Sequence, residues 1–177
     1  MKTRMRILSA LFAALTAVGA FLRIPFALSA VTLQFLFTAM AGILLGAKYG
    51  ALSQLVYVAL GLIGLPIFTK GGGLSYIFEP TFGYLLGLIP AAFVTGTLSK
   101  RPLRFRQTAL AMLAGLAILY ATGIPYLALI ANVYLGKSLP LKEILVSGMV
   151  IYLPGDIVKI AAGSLLCCAL NRRLPGV

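Results

Sequence analysis

Asp156 and Lys159 stand three residues apart inside an apolar stretch. That spacing puts both on one face of a helix, where they can pair. Charges at membrane depth are costly and face a partner or a cavity. The pair follows Leu153-Pro154-Gly155. Proline favours the first turn of a helix, so a helix is expected to begin near Pro154, with Asp156 in its positively polarised first turn. A broken helix with polar groups at the break is one way to build a ligand site in a membrane protein. The alternative reading is an internal ion pair that only fixes helix packing. Weaker candidates are Gln34, Tyr76, Glu79, Thr81, Tyr84 and Asn132, which all fall toward the same ends of their apolar runs. Near them lies Thr69-Lys70-Gly71-Gly72-Gly73. It reads either as a flexible connection or as a place where backbone, Gly72 and Gly73 included, comes close to a ligand.

Other chemistries lack their residues. The chain has no histidine and three acidic residues, so a metal site has almost no ligands to draw on and a Ser/His/Asp triad cannot be assembled. No Gly-x-x-x-x-Gly-Lys-Ser/Thr phosphate loop occurs, so the chain does not drive a pump with its own ATPase. Cys167 and Cys168 are adjacent in the last apolar run and read as structural. No catalytic set and no cofactor site is expected.

The elements that must position these residues are membrane helices. Of 177 residues, 61% are apolar and 10% charged, and the mean hydropathy is +1.05. A soluble domain carries about 25% charged residues, so this chain cannot build a water-facing surface. Apolar runs cover 7–22, 28–47, 49–68, 81–99, 108–135 and 144–170, and the charges fall at the breaks. Only helices satisfy every backbone group within one segment in lipid. The expectation is an all-α membrane protein of about six transmembrane helices, one integral membrane domain over 1–177. The last run divides at Leu153-Pro154-Gly155 into a short outer helix, 144–152, and the true span, 153–170. The first run reads as a span and not a cleaved leader, since five further runs follow.

Orientation follows the basic residues. With both termini cytoplasmic, Lys2, Arg4, Arg6, Lys48, Lys100, Arg101, Arg104, Arg106, Arg172 and Arg173 lie inside and Arg23, Lys70, Lys137 and Lys142 outside, ten against four. The net charge of +12 is thus mainly a topology signal and not a nucleic-acid footprint. The 100–106 stretch can also touch anionic head groups of the membrane lipid. In the first run Ala10 and Ala14 are four apart, spacing that lets helices approach closely, either within the bundle or against another membrane subunit.

Taken together these segments resemble one family. Ala10 to Ala20, Val31-Thr32-Leu33-Gln34, Gly64-Leu65-Pro66-Ile67-Phe68, Gly72-Gly73, Pro80-Thr81-Phe82-Gly83-Tyr84 and Leu153-Pro154-Gly155-Asp156-Ile157-Val158-Lys159 are similar to BioY, the biotin-binding S components of energy-coupling-factor (ECF) transporters. The chain departs from the family pattern at Glu79 and Phe82, where glycine is common. The resemblance implies a six-helix S-component bundle in the plasma membrane and capture of biotin from the outer side. It also implies uptake driven by a transmembrane coupling subunit and cytoplasmic ATPase subunits, docked through Ala10 and Ala14.

The ligand's chemistry suits these residues. A ureido head has two N–H donors and a carbonyl; Asp156 can accept ureido N–H, and Lys159 can donate to the ureido oxygen. Phe35, Phe68, Tyr76 and Tyr84 would wall the bicyclic body, and Lys70, Gly72 and Gly73 could meet the carboxylate. Two other functions are open to the same residues: an S component for a different vitamin, and an unrelated membrane protein such as an intramembrane enzyme.

Overall fold

The computed structural model describes residues 2–25 and 30–173. Helix α1 (Lys2–Phe21) leads into a hairpin of β1 (Arg23–Pro25) and β2 (Ala30–Thr32). The strands pair antiparallel, Arg23 with Thr32 and Pro25 with Ala30. Then come α2 (Gln34–Leu45), α3 (Ala47–Leu62), a 3-10 turn (Leu74–Phe78), α4 (Phe82–Leu98) and α5 (Phe105–Leu129), which runs on into a π-helical turn (Ile130–Tyr134). The short α6 (Leu141–Leu145) passes through a second π turn (Val146–Val150), and α7 (Leu153–Arg173) ends the described chain.

The helices form a bundle with α2 at its centre, in contact with α1, α3, α4, α5 and α7. Every residue of α2 except Phe37 is buried. Its 12 residues rise only about 18 Å, too short to cross roughly 30 Å of hydrocarbon alone. It does not need to, because its ends meet protein: Leu33 donates its N–H to the Gly19 carbonyl of α1 at 3.0 Å. Three helical stretches, 3–21, 105–134 and 141–171, are long and apolar enough to span a membrane. The outward surfaces of the bundle are apolar, as at Ile7, Leu55, Phe93, Leu110 and Leu165.

Two devices hold the centre. At one end α2, α3 and α4 nearly touch: a Cβ on Gly42 would lie 2.3 Å from the Ala92 carbonyl oxygen, and one on Gly96 would lie 2.4 Å from the Ala47 nitrogen. Small residues permit such approach where lipid offers no hydrophobic drive between helices. In the middle, buried Gln54 of α3 accepts from Thr38 of α2 at 2.9 Å and donates to Thr16 of α1 at 3.3 Å and to Ser53 at 2.9 Å. Each polar group is thereby satisfied across three helices.

The break expected before Asp156 is present: α7 begins at Leu153, after the π turn that ends at Val150. Two expectations are corrected. The run 28–47 is not one helix, since Ala30–Thr32 is a strand and the helix starts at Gln34; residues 26–29 lie outside the described residues. The run 49–68 stops being helical at Leu62. Gly64 takes φ +118° there, and Pro66, which lacks an N–H, follows two residues on.

Candidate functional site

At the end of the bundle where α2, α4 and α7 begin, the helices enclose a cavity of about 100 Å³. Its walls come from six elements. The hairpin contributes Thr32, α2 contributes Gln34 and Phe35, and the segments after α3 contribute Thr69 and Tyr76. Thr81, Tyr84, Leu85 and Leu88 come from the start of α4, Leu119 and Tyr120 from α5, and Tyr152, Asp156 and Lys159 from the start of α7.

The polar end of the cavity is a fully connected cluster. Asp156 and Lys159 are 3% and 7% exposed, with Lys159 Nζ 2.5 Å from Asp156 Oδ1. The Tyr120 hydroxyl donates to Asp156 Oδ2. Lys159 also donates to the Thr32 carbonyl at 3.0 Å, so the buried ammonium anchors the hairpin over the cavity. Beside it, the Thr32 hydroxyl donates to Gln34 Oε1 at 3.0 Å, and Gln34 Nε2 donates to the Tyr57 hydroxyl at 2.8 Å. A carboxylate has about four lone-pair sites and an ammonium three protons. Asp156 has thus two acceptor sites left, and Lys159 one donor. The cluster is neutral overall, ties together three elements, and lines the cavity.

The rest of the wall is aromatic and aliphatic. The rings of Tyr84 and Tyr120 meet edge to face with centroids 6.4 Å apart, and the Tyr84 hydroxyl is tied to the Gly148 carbonyl at 2.7 Å. The Thr69 and Tyr76 hydroxyls share a hydrogen bond of 2.8 Å. Thr81 Oγ1 is buried without a hydrogen-bond partner. At the rim Arg23 donates to the Thr69 carbonyl, linking the hairpin to the loop after α3. Lys70 pairs with Glu79 at 2.7 Å, both partly exposed.

Of the residues singled out from sequence, Gln34, Phe35, Tyr76, Thr81, Tyr84, Asp156 and Lys159 line the cavity. Five do not. Phe68 is 1% exposed and stands behind the wall, 4.7 Å from Tyr76 and 5.5 Å from Tyr57 between ring centroids. Gly72 is packed on the turn after α3, where a Cβ would lie 2.1 Å from the Leu65 carbonyl oxygen. Gly73, at φ +101°, gives its N–H to the Gly61 carbonyl at 2.8 Å. Glu79 is the rim partner of Lys70. Asn132 closes the loop after α5 through Leu139, accepting its N–H at 2.6 Å and donating to its carbonyl at 3.1 Å.

Thr32, Thr69, Leu85, Leu88, Leu119, Tyr120 and Tyr152 complete the lining. Tyr120 had a signal in the sequence, because a hydroxyl in the middle of an apolar span must find a partner, and few groups are available to it. Leu85 and Leu88 follow Thr81 and Tyr84 by one helical turn each. Ala10 and Ala14 are exposed on α1, while Ala13 is buried.

A buried polar head and an apolar body, enclosed at one end of a helical membrane bundle, define a membrane protein that holds a small, largely apolar solute. The model of the BioY family matches residues 1–176, and the chain belongs to that family. It is 44% identical to the probable biotin transporter BioY of Lysinibacillus sphaericus, over 90% of this chain and 83% of that protein. It is 34% identical to the biotin transporter BioY of Thermotoga maritima, over 96% of each. The crystal structure of the S-component for biotin from an ECF-type ABC transporter is similar with a TM-score of 0.82 at 27% identity, covering 97% of this chain and 92% of that one. The fold is the S-component bundle, and the protein is a membrane protein of the cell membrane.

Proposed function

We propose that this chain is the biotin-specificity component of an ECF-type uptake transporter, and that the cavity above Asp156 and Lys159 captures biotin. One observation carries the reading: a buried carboxylate–ammonium pair, neutral overall, lines a cavity whose other walls are largely aromatic and aliphatic. A cyclic ureido group offers an N–H beside its carbonyl oxygen along one edge, the complement of a carboxylate beside an ammonium. Phe35, Tyr84, Tyr120, Tyr152, Leu85 and Leu88 take the thioether ring and the chain. The ligand carboxylate points to the rim, toward Arg23 and Lys70. Gln34, Tyr76 and Thr81 complete the contacts. Phe68, Gly72, Gly73, Glu79 and Asn132 act from behind, by fixing the wall and the loops.

The whole chain, 1–177, works as one membrane domain with both termini in the cytoplasm and the cavity open to the outside. The bias of basic residues toward one side supports this orientation. The chain itself carries no enzyme activity. Captured biotin is moved by a transmembrane coupling subunit and its ATPases, and the exposed Ala10 and Ala14 of α1 let the coupling subunit approach closely. The test is a calorimetric titration of the purified protein with biotin and with a panel of other vitamins. Saturable one-to-one binding of biotin alone is expected. Binding of another vitamin in preference to biotin would reassign the ligand.

A further inference from the structure

A second cavity lies outside the site, on the membrane-facing surface between α5 and α7. It is an open groove of about 440 Å³ walled by Phe105, Ala109, Leu110 and Leu113 of α5 and by Ile157 and Ile160 of α7, with Arg106 the one charged residue on it. Leu110, Leu113 and Ile157 are 66%, 54% and 66% exposed. The register of the two helices sets its direction. Thr108 meets Cys168 near one end, Met112 meets Ser164, and Tyr120 meets Asp156 at the other. The groove therefore runs from the basic end of the bundle to about the depth of the ligand site. That is about 13 residues of α5, or roughly 20 Å, comparable with the roughly 15 Å of hydrocarbon in one leaflet.

Charge selects the occupant. Arg106 and Arg104 are exposed at the mouth. All three acidic side chains of the protein lie toward the ligand-site end: Glu79 at the cavity rim beside Lys70, Asp156 in the first turn of α7, and Glu143 in α6 just before it. No side-chain carboxylate neutralises the basic mouth. We propose that the groove is a binding site for an anionic phospholipid, one acyl chain lying along α5 and α7 and the phosphate held by Arg106 and Arg104. Such a lipid fills the seam beside α7, the helix that carries Asp156 and Lys159.

The protein contains no tryptophan, so one placed on the groove reports on it alone. Leu110→Trp is reconstituted in mixed vesicles, and quenching by brominated phosphatidylglycerol is compared with quenching by brominated phosphatidylcholine. Retained biotin binding shows that the variant is folded. A preference of about thirtyfold for the anionic lipid is expected, about fivefold for each of the two basic residues near the surface. It should fall to about fivefold when Arg106→Gln is added and to near unity when Arg104→Gln is added as well, and should be absent for Phe93→Trp on α4. Native mass spectrometry of the unsubstituted protein and of Arg106→Gln reads the same preference without the probe. Equal quenching by both lipids, or a preference unchanged by Arg104→Gln and Arg106→Gln together, would overturn the proposal. So would loss of quenching by both lipids once the coupling subunit is bound, because the groove would then be a protein interface.

Discussion

Separating a binding role for the Asp156–Lys159 pair from a purely structural one requires variants that keep the fold. Lys159→Met alone is a poor probe. It leaves the Asp156 carboxylate, 3% exposed, with Tyr120 as its remaining partner. Breaking a buried pair by removing one member costs about 3–5 kcal/mol, so this variant is expected to melt well below the parent. Asp156→Asn combined with Lys159→Met removes both charges in near-isosteric form, and no uncompensated ion is left. Replacing a buried pair by uncharged groups is often close to neutral for stability, so the double variant should recover most of the lost melting temperature. Its binding should not recover. The ureido N–H that met a carboxylate then meets a neutral amide oxygen, and the donor to the ureido oxygen is gone. A hydrogen bond to a charged group contributes about 1.5–3 kcal/mol, so the loss of even one weakens binding by at least about tenfold. Calorimetric titration with biotin, alongside thermal unfolding in the same detergent, gives both numbers. A folded double variant that bound biotin as the parent does would show the pair to be a packing device and refute the reasoning.

Three further outcomes follow from the geometry. Tyr120→Phe keeps the ring against Tyr84 but removes the bond to Asp156 Oδ2; biotin affinity should fall about tenfold in titration, with the protein still folded. Ala10→Trp or Ala14→Trp on the exposed face of α1 should leave biotin binding near normal while abolishing co-purification with the coupling subunit and ATP-dependent uptake, because a bulky residue holds the two backbones apart. In a background with Cys167 and Cys168 replaced, Ser75→Cys in the exposed turn before α4 should react with an impermeant thiol reagent on intact cells, whereas Arg104→Cys should react only after the membrane is opened. The reverse pattern would invert the topology.

How much of this was legible beforehand depended on the kind of signal. The start of α7 was, because Pro154 and Gly155 interrupt an apolar run and two charges in that run must meet something. The α4 wall was half legible: Thr81 and Tyr84 stood out as polar, while Leu85 and Leu88 share their face but look like any apolar residue of a span. The hairpin was not, since a short apolar run is consistent with strand or helix, and the pairing of Arg23–Pro25 with Ala30–Thr32 is decided by the bundle beneath it. Asn132 and Glu79 show the converse limit. Each is polar and near the correct depth, yet a local partner, Leu139 for one and Lys70 for the other, takes its hydrogen bonds. Sequence proximity to a site does not reveal which polar groups are already satisfied.

The central claim is that Asp156 and Lys159 read a ureido head, and ligand analogues test it without touching the protein. Desthiobiotin keeps the ureido group and lacks the sulfur; iminobiotin replaces the ureido oxygen by an imine nitrogen that at neutral pH is protonated as part of a guanidinium and presents only donors to Lys159. Titrated side by side, desthiobiotin is expected to bind within about tenfold of biotin. Iminobiotin should bind at least about tenfold more weakly than desthiobiotin, the cost of losing a hydrogen bond to a buried charge. Iminobiotin bound as tightly as biotin would contradict the account.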